Sequence, residues 1–258
     1  MFPGQWALIT GASRGMGAEF ASILAERGFN LILAARSVDR LEAVAKSLSH
    51  FGVQVHIEQS DLSQPGSAFR LLEKIRARDL RLDLLVNNAG HGLHGDFIDR
   101  SGEEINRMLQ LNIASLTTLT HSIATDMAKS GSGRILLVAS LTAFMPSPTY
   151  AAYAATKAYV RHLGEALNAE MAGRNVVITV LSPGLMDTGF LSAAGQASSN
   201  AMKRTMTSPR MAAEAGLNAL FAGRQTVVAG RMNQIVAIAS RLIPRKMQTR
   251  IMASALNS

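Results

Sequence analysis

The chain has 258 residues, of which 48% are apolar, and this is enough for an α/β domain with a substantial buried core. It contains no cysteine, which excludes disulfides, thiolate nucleophiles and thiolate metal ligands. The formal net charge is +8, but six Arg or Lys and no acidic residue lie between Arg224 and Ser258, so the positive charge belongs mainly to the tail.

The N-terminal segment has neither a basic nor a long apolar stretch, and a strand-like run begins at Trp6, so we expect no secretory signal. No apolar run approaches the roughly 18 residues that cross a bilayer. We therefore expect a cytoplasmic protein without a transmembrane segment. Because no linker rich in Pro, Gly or Ser interrupts the pattern, residues 1–258 are predicted to form a single domain, with a core over 5–230 and a helical tail over 231–258.

Strand-like and helix-like segments alternate along the chain. Strands are predicted over Trp6–Thr10, Leu31–Ala35, Val53–Glu58, Leu82–Val86, Arg134–Ala139, Val176–Leu181 and Thr226–Ala229. Helices are predicted over Met16–Arg27, Val38–Ser49, Ser67–Arg78, Glu103–Ser130 and Tyr150–Met171, with another that opens at Ser208. This alternation predicts a parallel sheet covered by helices on both faces, with ligands bound at the carboxyl ends of the strands.

The turn after the first strand has the pattern Thr-Gly-x-x-x-Gly-x-Gly. Its residues are Thr10, Gly11, Ala12, Ser13, Arg14, Gly15, Met16 and Gly17. Glycines let the main chain approach a pyrophosphate, and the helix N-terminus adds amide donors and a favourable dipole. An ordinary glycine-rich turn has the same pattern, so its position after the first strand is what favours a dinucleotide site. We expect residue 11 and residues 13–17 to contact that dinucleotide.

Arg36, at the end of the second strand, indicates which dinucleotide binds. An acidic residue there would hold the ribose 2′-hydroxyl of NAD(H), whereas a guanidinium suits the 2′-phosphate of NADP(H). Arg14 adds a second positive charge in the glycine turn. We therefore predict NADP(H). The alternative is that Arg36 is a solvated strand-end residue and Ser37 only a helix cap.

Two further strand ends carry predicted cofactor contacts. Asp61 follows the third strand, where it either holds the adenine amino group or caps the next helix. Asn87 and Asn88, followed by Ala89 and Gly90, come after the fourth strand. Their amides can bond loop backbone, and the small residues let the chain pass close to a nucleotide.

Tyr153 and Lys157 stand four residues apart, which places them on the same face of a helix. A tyrosine with a pKa near ~10 exchanges protons poorly at neutral pH, and a cation close by stabilises its phenolate and lowers its pKa. Lys157 can supply that cation and also bond the nicotinamide ribose. This spacing alone occurs on many helices by chance.

Two other polar residues are candidates for the same chemistry. Ser140 follows the fifth strand, where its hydroxyl can polarise and orient a substrate carbonyl. Asn112 lies in an apolar stretch of a predicted helix, and a buried amide there needs partners. It either holds a water that relays protons to Lys157 or makes a local hydrogen bond that kinks the helix.

The order of these features is specific, and through it residues 5–230 resemble the short-chain dehydrogenase/reductase family. The glycine turn, the Asn-Asn-Ala-Gly run, the helical asparagine, the serine and the Tyr-x-x-x-Lys pair follow one another, with Ser140 thirteen residues before Tyr153. Tyr150 is not the matching tyrosine, because only Tyr153 stands four residues before Lys157. The resemblance implies a single Rossmann-type, doubly wound domain and a catalytic tetrad of Asn112, Ser140, Tyr153 and Lys157.

The segment from Ser182 to Thr188 resembles the family's Pro-Gly segment after the sixth strand. In the family its backbone passes the nicotinamide and its threonine contacts the carboxamide or phosphates. This implies that Pro183, Gly184 and Thr188 contact the cofactor. Asp187 departs from the residues that usually precede that threonine.

The resemblance implies hydride transfer between nicotinamide and a carbonyl carbon, with Ser140 holding the oxygen and Tyr153 protonating it. Lys157 and a water at Asn112 would replenish the proton. Members that prefer NADPH usually work as reductases, so we expect a small-molecule aldehyde, ketone, 3-oxoacyl or steroid-like substrate.

Substrate identity is expected to depend on residues 190–207, a small, polar segment suited to a mobile lid. No metal site is expected, because His91 and His94 lack a third ligand nearby.

In the tail, apolar side chains alternate with arginines, and Pro244 separates two helical halves. Three uses compete: packing in a subunit interface, lying on an anionic membrane surface, or covering the cleft. We favour the interface, because amphipathic helices most often bury their apolar face in protein, and we expect a homodimer or homotetramer. The tail resembles that of a family branch with 3-oxoacyl and hydroxysteroid reductases, which favours an apolar substrate.

Two other classes of protein fit less well. An NADP(H)-binding sensor or scaffold without turnover would keep the glycine turn and Arg36 but need no complete tetrad. A nucleic-acid binder would need a basic stripe with exposed aromatics, yet aromatics are 5% of the chain and the tail contains none. We therefore expect no nucleic-acid partner.

Overall fold

The computed structural model of the chain describes residues 1–186, 194–196 and 206–256. The strands found there are β1 Trp6–Thr10, β2 Asn30–Ala35, β3 Val55–Gln59, β4 Leu82–Asn87, β5 Gly133–Val138, β6 Val176–Ser182 and β7 Thr226–Val228. All pairs are parallel, and together they form one sheet with the order β3-β2-β1-β4-β5-β6-β7.

Helices connect these strands and cover both faces of the sheet. They are α1 Gly15–Glu26, α2 Val38–Ser47, α3 Ser67–Arg76, α4 Gly102–Leu109, α5 Leu116–Ser130, α6 Ala151–Met171, α7 Pro209–Phe221, α8 Arg231–Ala239 and α9 Arg245–Leu256. The predicted fold class, an α/β doubly wound parallel sheet flanked by helices, is confirmed.

The strand β1 shows why the central strands are apolar throughout. Successive side chains of a strand point to opposite faces of the sheet. Ile9 therefore packs in one core layer with Phe20 of α1 and Leu217 of α7, while Leu8 packs in the other layer with Leu119 of α5. Because both faces are covered, every residue of β1 is buried.

The strand order reverses direction between β1 and β4. In an open parallel sheet, the two crossover connections leave on opposite faces at this point, so that a crevice opens at the carboxyl ends of the strands. The loops that follow β1 to β6 carry most of the predicted site residues, while Asn112, Tyr153 and Lys157 lie on helical segments. The fold thus brings those loops to one edge of the sheet.

The helix predicted over Glu103–Ser130 consists of α4, a π-helical turn and α5. α4 begins with a reciprocal cap, in which the Glu104 amide donates to the Ser101 hydroxyl at 3.1 Å and the Ser101 amide donates to the Glu104 carboxylate at 3.1 Å. A π-helical turn over Gln110–Ser115 then separates α4 from α5. Such turns insert one extra residue and are frequent at functional sites. The helical pattern predicted over Glu103–Ser130 is therefore found, and the π-helical turn within it was not predicted.

The tail forms two helices, with Pro244 between them. Gln248 is buried, and its amide donates to the carbonyls of Ser240 and Ile243, at 2.7 Å in each case. These bonds hold α8 and α9 together across the bend. Over the described ranges of the chain, none of the helices is both long and apolar enough to span a membrane.

Candidate active site

A cleft of about 930 Å³ lies at the carboxyl ends of the strands. The glycine turn lines one part of it, and Ser140, Tyr153 and Lys157 line another. The predicted cofactor contacts found in its lining are Gly11, Ser13, Arg14, Gly15, Met16, Gly17, Arg36, Asp61, Asn88, Ala89, Gly90, Tyr153, Lys157, Pro183 and Gly184. Thr188 and Asp187 lie outside the described residues, as does most of the predicted lid over 190–207.

The glycine turn is closely packed against the loop after β4. A methyl group on Gly17 would lie 2.1 Å from the carbonyl oxygen of Gly11, so helix α1 can begin this close to the turn only with glycine there. The side-chain amide of Asn88 donates to the carbonyls of Thr10 and Gly11, at 3.0 and 3.3 Å. This confirms that the asparagine amide bonds loop backbone.

Thr10, the first residue of the glycine pattern, has a structural role that was not predicted. Its buried hydroxyl accepts hydrogen bonds from the amides of Asn88 and Ala89, both at 3.0 Å. These bonds fix the loop after β4 to the end of β1. A polar residue at the end of an otherwise apolar strand is the signal that could have identified it.

Three guanidinium groups line the cofactor end of the cleft, those of Arg14, Arg36 and Arg40. Burial lowers the pKa of His91, and the positive charges of Arg36 and Arg14 lower it further. Both cations therefore act on the same part of the cleft. Arg40 was not predicted as a site residue. It lies near the start of α2, four residues after Arg36, and is therefore close to the end of β2.

Asp61 is tied into a turn. Its carboxylate accepts hydrogen bonds from the amide and hydroxyl of Ser63, at 3.1 and 2.7 Å, whereas the residue that precedes α3 is Gly66. Burial acts to raise the pKa of Asp61, but the bonds from Ser63 and the charge of Arg36 outweigh it and leave the pKa below its ordinary value. Asp61 is thus an ionised turn residue in the cleft lining and does not cap α3.

Lys157 is buried beneath the cleft. Its ammonium donates to the carbonyl of Val138 at 2.8 Å and lies 5.8 Å from the ring centroid of Tyr153. Burial lowers the pKa of Lys157 to about 8, because removing an ammonium from water disfavours its charged form.

Tyr153 is hydrogen-bonded to Ser140 through the two side chains. Burial raises the pKa of Tyr153 well above its ordinary value, and the bond to Ser140 opposes this only in part. The net result is a raised pKa, caused mainly by desolvation of the phenol, and the lowering of that pKa by Lys157 stays a prediction.

The hydroxyl of Ser140 is held in place by the start of a short helix. Ser140 precedes the 3-10 helix Leu141–Phe144, and its oxygen accepts a hydrogen bond from the Thr142 amide at 3.2 Å. Together with the bond to Tyr153, this orients the serine oxygen at the cleft.

Asn112 lies in the π-helical turn, and its side chain is bonded to protein. Its amide nitrogen donates to the His91 carbonyl at 2.9 Å and to the Thr156 hydroxyl at 3.0 Å. Its oxygen accepts from the His91 amide at 3.0 Å. These partners are distant from Asn112 in sequence, so the bonds are not the local hydrogen bond that was one of the two alternatives, and the water-holding role stays a prediction. Asn112 ties the loop after β4 to α6, next to Lys157.

Comparison with known proteins identifies the family. A family model described as short chain dehydrogenase matches residues 5–199. The chain is 35% identical over 191 residues to 17-beta-hydroxysteroid dehydrogenase type 3 of Homo sapiens, covering 72% of this chain and 61% of that protein. It is 35% identical over 187 residues to 3-oxoacyl-[acyl-carrier-protein] reductase FabG of Escherichia coli, covering 72% and 75%. The chain belongs to the short-chain dehydrogenase/reductase family.

A solved structure agrees over more of the chain. The short-chain dehydrogenase from Sphingobium yanoikuyae in complex with NADPH has a TM-score of 0.81 and 30% identity, covering 92% of this chain and 94% of that one. By contrast, the chain spans only 58% and 61% of the length of two hydroxysteroid dehydrogenase relatives. The prediction of the family is confirmed.

In this short-chain dehydrogenase, the wall of the cleft beyond Tyr153 contains a pair that the sequence analysis missed. The Tyr150 hydroxyl donates to the side-chain oxygen of Gln196 at 2.7 Å, and both residues are buried. The His94 ring lies 5.0 Å from that of Tyr150, and burial raises the pKa of Tyr150 to about 12. The pairing joins residues far apart in sequence, which no local pattern indicates.

The tail of this short-chain dehydrogenase contributes to the same cleft. Val236 of α8 and Met252 of α9 are among the lining residues. A methyl group on Gly184 would lie 2.3 Å from the side-chain amide of Asn233 on α8, so the Pro-Gly segment and the tail are in close contact. The structure thus supports the third use considered for the tail, which is to cover the cleft.

Proposed function

We propose that this protein is an NADPH-dependent reductase that transfers hydride to the carbonyl carbon of an apolar ketone, aldehyde, 3-oxoacyl or steroid-like compound. The observation that carries the proposal is the hydrogen-bonded pair of Ser140 and Tyr153 in the cleft lining, above the buried ammonium of Lys157. Two hydroxyls that meet at one point can hold a carbonyl oxygen and protonate it.

The cleft fits an NADP(H) molecule. Its glycine turn leaves room for a pyrophosphate, and the guanidinium groups of Arg14, Arg36 and Arg40 supply the charge that a 2′-phosphate requires. The solved relative from Sphingobium yanoikuyae holds NADPH. When bound, this cofactor supplies the hydride.

The protonation states of the two residues are compatible with reduction. Burial raises the pKa of Tyr153, so its phenol is protonated at neutral pH, and the substrate oxygen becomes a strong enough base to take that proton as hydride reaches the carbonyl carbon. Lys157, with a pKa of about 8, is charged at neutral pH and can return a proton to Tyr153. In this proposal Ser140 orients the oxygen, and Asn112 positions the loop after β4 against Lys157.

The proposed substrate class follows from the cleft wall and from the named relatives. Side chains of Leu93, Leu111, Met145, Val236 and Met252 give the cleft an apolar wall. The relatives named above are a hydroxysteroid dehydrogenase and a 3-oxoacyl reductase. Their names indicate substrates that are largely apolar. A substrate with a substantial apolar body fits this wall.

The remaining expectations stay predictions. They are a single domain over residues 1–258 with a helical tail, a cytoplasmic location, and a homodimer or homotetramer. The single sheet that contains all the described strands supports the first of them. A sensor or scaffold without turnover is the weaker proposal, because it would need no buried lysine beneath a paired serine and tyrosine.

The proposal is tested with Tyr153→Phe and with Tyr150→Phe as the matched control. Oxidation of NADPH is followed with a panel of apolar ketones, 3-oxoacyl thioesters and steroids. We expect Tyr153→Phe to lower turnover of any accepted substrate by at least about 100-fold and to leave NADPH binding nearly unchanged. Full turnover in that variant would overturn the assignment, and NADPH binding without turnover of any compound would favour the scaffold.

A further inference from the structure

The outer side of the two tail helices exposes apolar side chains that no other described part of the chain covers. We call this surface the tail face. Its apolar side chains are between 48% and 83% exposed. They are Met232, Ile235, Ile238, Leu242, Met247 and Ile251. On α8 and α9 their spacing of three or four residues places them along one side of each helix.

The tail face is also positively charged. Its cations are Arg231, Arg241, Arg245, Lys246 and Arg250, all of them exposed. The tail contains no acidic residue, and across the described ranges none of these cations forms an ion pair. On α9, Lys246 and Arg250 flank the side that carries Met247 and Ile251.

The tail face is fixed relative to the rest of the protein. Gln248 bonds α9 to the end of α8, as described above. On α8, the amide of Asn233 donates to the Ala229 carbonyl at 2.7 Å, next to Gly184. The two tail helices are therefore bonded to each other and packed against the loop after β6 before any partner binds.

We propose that the tail face binds the surface of an anionic lipid bilayer. A helix with apolar side chains on one side and Lys or Arg beside them lies in the interface of a membrane, where the apolar groups enter the lipid and the cations meet the headgroups. A second copy of this chain is a poorer occupant. A symmetric contact of the tail face with itself would bring cations of both copies together without an acidic side chain from either tail.

This orientation has a consequence for the cleft, which rests on the proposed function. Val236 and Met252 line the cleft from the same two helices whose outer side meets the lipid. Docking would place the cleft wall beside the bilayer, from which an apolar carbonyl compound can enter without crossing much water. Membrane-dissolved ketones are thus the substrate class that this arrangement suits.

The experiment is flotation of the full-length protein with phosphatidylcholine vesicles and with vesicles of phosphatidylcholine and phosphatidylglycerol, without cofactor or substrate. We expect binding to the anionic vesicles only, and release at high salt, because screening weakens surface electrostatics. Since no turnover is measured, a negative result leaves the reductase proposal untouched.

Two variants test the tail face itself, and both change exposed side chains only. Ile235→Ser with Ile238→Ser should lower vesicle binding by at least about tenfold, because less apolar surface enters the lipid. Arg245→Gln with Lys246→Gln should lower it by about fivefold for each cation. The matched controls are Phe97→Ser with Ile98→Ser, and Lys129→Gln with Arg174→Gln, which are exposed sites outside the tail.

The outcomes that overturn the proposal are specific. One is that the unchanged protein does not bind anionic vesicles. Another is that the tail variants and their controls lose vesicle binding to the same extent. A third contradicting outcome would come from analytical ultracentrifugation. If the protein does not bind vesicles and forms a dimer that the double variant Ile235→Ser with Ile238→Ser dissociates, the tail face is a subunit interface. Unchanged melting temperatures verify that each variant is folded.

Discussion

The ammonium of Lys157 donates a hydrogen bond of 2.8 Å to the carbonyl of Val138, the last residue of β5. The bond joins the helix that carries Tyr153 to the strand that leads to Ser140. It also holds a positive charge in a buried place, where the pKa of Lys157 falls to about 8. Stability should therefore depend on pH through this lysine.

The pH dependence has a definite sign. Between about 8 and the ordinary value of 10.5, the folded chain binds fewer protons at Lys157 than the unfolded chain does. The free energy of unfolding should therefore rise with pH across this window, by up to about 3 kcal/mol from this one group. Urea unfolding from neutral pH to about 10 measures the rise. We expect Lys157→Met to abolish it and the exposed-site variant Lys129→Met to retain it. An equal rise in both variants would contradict the lowered pKa.

Arg36 should determine the choice between the two nicotinamide cofactors. Arg36→Ala is expected to weaken NADPH binding by about 10- to 100-fold, because a charge-assisted bond to the 2′-phosphate is lost, and to leave NADH binding unchanged. Arg40→Ala should have a smaller effect in the same direction. Fluorescence titration with both nucleotides measures this. The control is Arg174→Ala, because Arg174 precedes β6 and so lies at the opposite end of the strands from the cleft. Equal losses for NADPH and NADH would place Arg36 outside the phosphate site.

Gly17 should tolerate no side chain. Its added methyl group would lie 2.1 Å from the Gly11 carbonyl oxygen and 2.9 Å from the Asn88 amide, so Gly17→Ala must displace helix α1 or the turn. We expect it to lower the free energy of unfolding by about 1–3 kcal/mol and to weaken NADPH binding at least tenfold. Gly173→Ala is the control, because nothing lies within 4 Å of its added methyl group. Normal NADPH affinity in Gly17→Ala would show that the turn does not hold the cofactor.

Asn112 should act as a positioning residue. Asn112→Ala removes its bonds to His91 and Thr156 and leaves buried groups unpaired, which should cost about 1–3 kcal/mol of stability. Because the loop after β4 then loses its tie to α6, we expect kcat to fall more than NADPH affinity. Asn106→Ala, an exposed asparagine on α4, is the control for both readouts. A variant that loses stability but keeps its kcat would reduce Asn112 to a purely structural role.

The strands and the glycine turn could be predicted because their signals are local. The limits of β1 agree with the prediction, and β3 begins two residues later than expected, at Val55. Burial on both faces of a parallel strand produces a short apolar run in the sequence itself. Asn88, whose amide bonds the glycine turn, was predicted on the same kind of local reasoning.

The π-helical turn and the proton chemistry could not be predicted in this way. The partners of Asn112 are His91 and Thr156, which are distant in sequence, although the apolar residues at 109, 111 and 113 alternate in a manner that disagrees with helical spacing. The raised pKa of Tyr153 reflects burial by surrounding elements, a tertiary property. The sequence pattern placed Lys157 near the phenol but could not weigh its charge against desolvation.

The contact between Gly184 and Asn233 also limits how this protein can be rebuilt. The amide of Asn233 occupies the space that a side chain at position 184 would need, so the loop after β6 and helix α8 have complementary shapes. A larger residue at 184 would have to displace the Asn233 side chain, which would break its hydrogen bond to the Ala229 carbonyl. A chimera that exchanges this tail for a relative's should therefore match the residue at 184 to the residue that replaces Asn233.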